Sequence, residues 1–309
     1  MNNEQSLWWR ISNSNVFYHF FRDKVAFISA TLLLLIILAA IFAPLLTSHN
    51  PNDLATLDVM DGEIPPVWSE EGDERFLLGT DDQGRDILSA ILYGARVSLL
   101  IGIFAVVLQC VLGVVIGLVA GYAGGRVDSL LMRLADIQLS FSSLMLAIIV
   151  LAFFRAFVGG DLYSQFAMVI LIFVIGIAEW PQYARTIRAC VLAEKEKEYV
   201  QAAQVMGFTT VRIMFRHILP NCLSPIFVIS TVQIANAIIS EAALSFLGLG
   251  MPVTQPSLGS LIKSGFDYLQ SGQWWITIIP GMFLIVLVLV INLLGDWLQD
   301  VLNPKLYKG

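Results

Sequence analysis

Few side chains in this sequence could do chemistry, and most are poorly placed for catalysis. The three histidines, His19, His49 and His217, all fall outside the long apolar stretches, so no base stands ready for a nucleophile at depth within one. No pair of aspartates falls on apolar stretches that would face each other. Cys110, Cys190 and Cys222 lack metal-ligand spacing, and the last two lie in a cation-rich segment where thiols are expected to stay reduced and unbridged. There is no Gly-x4-Gly-Lys-Ser/Thr loop, so any ATP must be hydrolysed on another chain. What remains is polar chemistry without bond making. Gln233, Asn236, Ser240 and Glu241 stand at offsets 0, 3, 7 and 8, which is one face of a helix. Asp136 leads a second polar group, Gln138, Ser140, Ser142 and Ser143. A polar stripe is expensive against lipid. The first stripe therefore faces either a helix interface or a water-filled pathway, and both readings stand. Asp136 is expected to snorkel or to pair with Arg133.

The elements that carry these residues are membrane helices. Mean hydropathy is +0.76 and 14% of residues are charged, far from soluble globular usage. Apolar blocks recur at lengths suited to a hydrocarbon core of roughly 30 Å, about 20 residues each. Six are predicted: 25–46, 97–120, 134–154, 166–180, 226–247 and 276–294, the fourth ending at Pro181. They lack strand-like alternation, and backbone groups in lipid must be satisfied within the segment, so the fold class is an all-α integral membrane protein with six transmembrane helices. The first block starts too late and runs too long for a cleaved leader. Residues 1–24 carry Leu7, Trp8, Trp9, Phe17, Phe20 and Phe21 among Arg10, Arg22 and Lys24, which suits an interfacial amphipathic segment or a basic-aromatic flank.

Cations fix the orientation. With the N-terminus inside, the inner segments hold 13 of the 18 Lys and Arg, so both termini are expected in the cytoplasm. The outer insertion 47–96 holds eleven acids against Arg75, Arg85 and Arg96. That charge either solubilises an exposed loop or steers an extracytoplasmic partner to it. Residues 97–294 form a five-helix core and 295–309 a cytoplasmic tail. Gly113, Gly117 and Gly121 repeat every four residues, a device for close helix packing in membranes.

The inner loop 182–225 is the long cytoplasmic segment. Val200, Ala203 and Met206 recur every third residue and predict a short helix over 198–206. Gly207 suits a left-handed closing position. Thr209 or Thr210 is placed to cap a second helix over 211–217, and Pro220 marks the return to the membrane. Two short helices angled across a glycine make a knuckle that fits a cleft in another protein.

The spacing Gln201-Ala202-Ala203, three residues, Gly207, nine residues, His217-x-Leu219-Pro220 resembles the "EAA" loop of ABC importer permeases, with Gln201 in place of the acid and His217 in place of an Ile. Leu78-Gly-Thr-Asp-Asp-Gln-Gly-Arg-Asp86, Tyr93-Gly-Ala-Arg-Val-Ser98, Glu241-Ala-Ala-Leu-Ser-Phe-Leu-Gly-Leu-Gly250, and Asn292-Leu-Leu-Gly-Asp296 with Asn303-Pro-Lys-Leu306 are similar to segments of the dipeptide/oligopeptide/nickel subfamily. The resemblance implies a type I ABC importer permease architecture in the bacterial inner membrane, with no catalysis of its own. It implies a second homologous permease subunit, two ATP-binding cassette ATPases and an extracytoplasmic substrate-binding protein, besides the surrounding lipid. It assigns Gln201, Ala202, Ala203, Gly207, Leu219 and Pro220 to ATPase coupling. Substrates in that subfamily are di- and oligopeptides, glutathione, nickel chelates, opines or oligosaccharides, with peptide the expectation here. No cofactor, metal site or nucleic-acid partner is expected. An intramembrane enzyme lacks its catalytic pair, and a passive channel has no use for the Gly207 knuckle.

Overall fold

In the computed structural model, residues 20–47, 50–51, 58–252 and 254–302 are described. The segment expected to lie at the interface falls outside them up to residue 19, as do His19, His49 and the tail motif from Asn303. Nine helices of eight residues or more organise the described residues: α1 (Lys24–Ile41), α2 (Ile87–Ala123), α3 (Gly125–Leu139), α4 (Ser143–Val158), α5 (Gly160–Glu194), α6 (Glu198–Val205), α7 (Leu223–Phe246), α8 (Leu258–Phe266) and α9 (Trp275–Leu302). Five are long and apolar enough to cross a membrane, and the bent pair α3 and α4 raises the number to six.

Several boundaries differ from the sequence expectation. Helix α9 runs to Leu302 and not to 294, α5 starts at Gly160 and not at 166, and α1 ends at Ile41 and not at 46. Three further differences bear on the architecture. Helix α2 begins ten residues before position 97, because Ile87, Ala90, Ile91 and Ala95 form a buried helical face ahead of the charged Arg96. Asp86 caps its start by accepting a hydrogen bond from the Ser89 amide at 2.9 Å. The block expected as one span over 134–154 is broken. Helices α3 and α4 meet at 85°, and of the α3 residues only Ala135 is buried, so α3 is a polar-faced inner element leading into a 16-residue α4.

The third difference concerns α5, which was expected to end at Pro181 and instead continues for 13 more residues. A proline inside a helix has no N–H for the carbonyl four residues back, here that of Ile177. Gln138 of α3 supplies the missing donor. Its Nε2 donates to the Ile177 carbonyl at 2.5 Å and to the Ala178 carbonyl at 2.9 Å, while its Oε1 accepts from Trp180 Nε1 at 2.8 Å. Gln138→Leu is therefore expected to destabilise the fold by about 1–2 kcal/mol. In a Pro181→Ala background residue 181 has its own N–H to give, so the same change should lose most of its effect. A double-mutant cycle on thermal unfolding measures this, and equal losses in both backgrounds would refute the substitution of one donor for another.

Glycine sets the distance between α2 and α5. A β-carbon on Gly113 would stand 2.7 Å from the Trp180 carbonyl oxygen. On Gly117 it would stand 2.6 Å from the Ala184 carbonyl oxygen, and on Gly121 2.8 Å from Val191 Cβ. With only hydrogens on that stripe the two backbones touch, and Tyr183, Ala184, Ile187 and Val191 pack against it fully buried. Helix α2 also belongs to a second cluster, where Ile87, Ile91 and Leu99 meet Ile36 of α1, Ile238 of α7, Leu258 and Leu261 of α8, and Leu287 of α9.

Charge pairs fasten the inner side. Asp136 pairs with Arg185 at 2.5 Å and not with the expected Arg133, because α3 lies across α5. Eight residues earlier on α3, Asp128 takes a two-pronged contact from Arg188 at 2.5 and 2.6 Å. Cys190 and Cys222, expected to stay reduced and apart, are joined as a disulfide with Cα atoms 5.9 Å apart. The chain makes that approach possible by packing the turn that leads into α7 against the end of α5, with Cys222 fully buried.

Candidate functional site

Helix α6 ends as the glycine pattern predicts. Gly207 has φ +76°, its amide donates to the Gln204 carbonyl at 2.9 Å, and the Phe208 amide reaches the Ala203 carbonyl at 3.2 Å. Thr209 holds the extended cap position, yet its hydroxyl makes no capping bond. The second helix is shorter than the expected 211–217. Thr210–Ile213 gives way to a wide π turn over Met214–Ile218, then to a tight turn Leu219–Cys222 with Pro220 near its start. Pro220 has no N–H for the Arg216 carbonyl, so regular α-helical bonding cannot run through it.

The knuckle has two faces. Val200, Ala203, Ile213, Ile218 and Cys222 are buried and join the same core as Ile187 and Val191 of α5 and Leu118 of α2. On the other face Gln201, Ala202, Gly207 and Pro220 are exposed, with Leu219 half-buried. Beside them in the chain stand four exposed apolar side chains, Val205 (89% exposed), Met206, Val211 and Phe215; Met206 shares the helical spacing of Val200 and Ala203 but not their burial. Their signal in the sequence is a pair of apolar residues just before Gly207 and a second pair four apart just after it. These apolar residues are exposed on the cation-rich side, in the segment that flanks Gly207.

The two departures at family positions have local explanations. Gln201 donates its amide to the Glu196 carbonyl at 3.1 Å. His217 stacks on Phe208 with centroids 5.8 Å apart and planes 14° apart, and the Arg212 guanidinium lies 4.4 Å over the other aromatic, Phe208. Tyr199 ties the base of the knuckle to α5. Its hydroxyl donates to Glu194, which also pairs with Lys197, and it accepts from Asn221 Nδ2 at 3.0 Å. Partial desolvation, then the bond to Glu194, push the Tyr199 phenol up to about 12.

The polar face of α7 divides. Gln233 and Glu241 are buried within the chain, Ser240 is half-buried and Asn236 is exposed. Asn236 Nδ2 donates to Gln233 Oε1 at 2.9 Å. Glu241 accepts from Ser98 of α2 at 2.8 Å and from Ser245 at 2.6 Å. The Ser245 oxygen in turn lies 3.2 Å from that of Ser257, the residue capping α8, and the Leu258 amide donates to Ser98 at 3.3 Å. One carboxylate thus joins α2, α7 and the start of α8.

At the opposite end of the molecule a cavity of about 420 Å³ lies between the 82–83 loop, the α4–α5 junction, the segment after α7, and α8. Asp82, Arg155, Lys263 and Asp267 bring both signs of charge to its wall. Sequence reading missed it because its lining comes from segments up to 186 residues apart, none carrying a recognisable spacing.

These features define a class. The chain is an inner-membrane transport permease: it belongs to the family described as binding-protein-dependent transport system inner membrane component, whose profile matches residues 113–308. The profile for the N-terminal TM domain of oligopeptide transport permease C matches residues 12–66. Among named relatives, the chain is 39% identical to the di/tripeptide transport system permease protein DppC of Pseudomonas aeruginosa, over 93% of this chain and 90% of that one. It is 41% identical to the dipeptide transport system permease protein DppC of Escherichia coli, over 94% and 92%. A putative peptide transport system permease protein of Brucella suis is 42% identical over 90% and 87%. The fold is shared with a chain of the MetNI methionine ABC transporter in an inward-facing conformation, at TM-score 0.55 and 18% identity, covering 69% of this chain and 96% of that one.

Proposed function

We propose that the chain forms half of the membrane pathway of an importer for di- and oligopeptides and takes its drive from ATPase subunits through residues 198–220. The observation that carries the coupling role is the exposed apolar rim of Val205, Met206, Val211 and Phe215 around Gly207, on a knuckle whose opposite face is rooted in the core beside α5. The peptide assignment rests on the named relatives, which agree in substrate class across three genera. The partners are a second permease, two ATPases, and a binding protein that delivers substrate to the outer face. Of the polar face of α7, Asn236 and Ser240 are the residues offered to the pathway, while Gln233 and Glu241 serve packing between helices.

Purification of the tagged chain from its native membrane in mild detergent, followed by identification of the proteins and small molecules that accompany it, tests this. A paired permease, ATPases, and a binding protein loaded with peptide is the expected result. A binding protein loaded with a sugar or a metal chelate would replace the substrate and keep the mechanism. A chain that repeatedly emerges alone would remove the coupling role.

A further inference from the structure

The outer cavity has a composition that selects among ligands. Two cations, Arg155 and Lys263, and two acids, Asp82 and Asp267, share its wall with hydroxyl groups that include those of Tyr163 and Ser264. Among the described residues none of the four charged groups is ion-paired within the chain. The neighbouring acid, Asp81, is by contrast committed to Arg85 at 2.6 Å with both side chains 2% exposed. One oxygen of Asp82, Oδ1, is buried without a hydrogen-bond partner. That oxygen is sealed from solvent, so Asp82 meets the cavity by the rest of its carboxylate and keeps an unspent capacity to accept. Arg155 is held in position: it donates to the Gly248 carbonyl at 2.8 Å and lies 5.8 Å over the Tyr163 ring. Lys263 Nζ stands over Gly248, 2.6 Å from where a β-carbon would be, so the glycine leaves room for the ammonium.

A ligand with one sign of charge would satisfy half of this wall and oppose the other half. A short zwitterion satisfies both, and about 420 Å³ falls within the usual range for small-molecule sites. We propose that this cavity is a receiving site for the free termini of a short peptide on the outer side of the membrane, with the ammonium directed to Asp82 and Asp267 and the carboxylate to Arg155 and Lys263. The site adjoins the end of the polar face of α7, since Ser245, which donates to Glu241, also lines it, and it deepens the peptide reading, on which it rests. Burial, and then the adjacent Asp81, push the Asp82 carboxyl up against the pull of Arg85. An arriving ammonium relieves that condition by supplying the missing opposite charge.

The test uses the assembled transporter in lipid nanodiscs without its binding protein, so that selection by that protein does not mask the cavity. Binding of alanyl-alanine, its N-acetyl form and its C-terminal amide is followed by saturation-transfer NMR. The unblocked dipeptide should bind about fivefold more tightly than either blocked form, as expected for one partly hydrated charge contact. Asp82→Asn should remove the preference over the N-acetyl form and keep the preference over the amide. Lys263→Gln, at an exposed position, should do the reverse, and Asp267→Asn gives a second acidic probe should Asp82→Asn fail to assemble. Equal binding of the three forms by the wild type, no binding at all, or preferences unchanged in the variants would overturn the proposal. Uptake of labelled alanyl-alanine by cells carrying the whole system is measured alongside. Uptake without a cavity preference defeats the cavity alone, whereas absence of uptake defeats the peptide reading itself.

Discussion

Import in a Gly207→Val variant is expected to fall by about one to two orders of magnitude while the chain still reaches the membrane and assembles. Gly207 holds φ +76°, and a β-branched residue there is strained by about 1–3 kcal/mol. Each 1.4 kcal/mol of strain lowers the population of the observed knuckle conformation, relative to its alternatives, by roughly tenfold. Nothing within 4 Å would meet a β-carbon at this position, so the expected loss comes from the backbone angle and not from crowding of that carbon. The effect separates into two parts. Gly207→Asn, a residue that tolerates the left-handed region, should keep most of the transport lost in the valine variant. Gly207→Asp should keep the backbone nearly as well, yet it puts a charge among the exposed apolar residues Val205, Met206 and Val211 and should uncouple ATP hydrolysis from uptake. Uptake and ATPase rates measured together on the reconstituted complex decide this. Wild-type coupling in the valine and aspartate variants would sink the docking role.

Glu241→Ala is the second large effect, and here the expected loss is in stability. The side chain is fully buried, and removing it leaves Ser98 and Ser245 without the acceptor that both now use. Leaving a buried hydroxyl without its acceptor costs about 1–3 kcal/mol, so with two hydroxyls affected a loss of about 3 kcal/mol is expected. Glu241→Gln keeps an acceptor oxygen and nearly the same volume, and should lose less than half of that. Thermal unfolding in detergent ranks the two. An alanine variant as stable as the parent but altered in what it transports would move Glu241 from helix packing to the pathway.

Much of the architecture can be read from the chain alone because membrane helices announce themselves by length and hydropathy, and because Gly207 is a backbone requirement written in a single residue. The knuckle over 198–206 follows from the same kind of local rule. The differences share one cause, which is tertiary rescue. Pro181 is a stop signal locally, and α5 runs through it because Gln138, 43 residues away, satisfies the orphaned Ile177 carbonyl. Apolar composition alone cannot reveal the 85° bend between α3 and α4, since lipid and a neighbouring helix are equally hospitable to Leu134 and Phe141. Asp136 finds Arg185 and not Arg133 for the same reason: the partner depends on how α3 lies across α5. Among the candidate site residues, spacing identified the α7 face but could not tell its two buried members from the exposed one. The apolar rim of the knuckle was present in the sequence as ordinary hydrophobic residues, and only their exposure gives them meaning.

Helix α5 joins the two ends of the molecule without a break. Its first turns carry Tyr163 into the wall of the outer cavity, and its last turns carry Cys190 and Glu194, which are fastened to the base of the knuckle. At 35 residues it is a rod of about 52 Å. Gln138 satisfies the carbonyl that Pro181 leaves orphaned, and the bare stripe of α2 lies along it. Under the roles proposed for the outer cavity and the knuckle, whatever seats at the one and whatever grips the other both act on this helix. Under those roles, reciprocity requires the factor by which the nucleotide state of the ATPases changes affinity outside to equal the factor by which an outer ligand changes affinity for the nucleotide. The outer binding constant and the inner nucleotide constant are then two readings of one mechanical element.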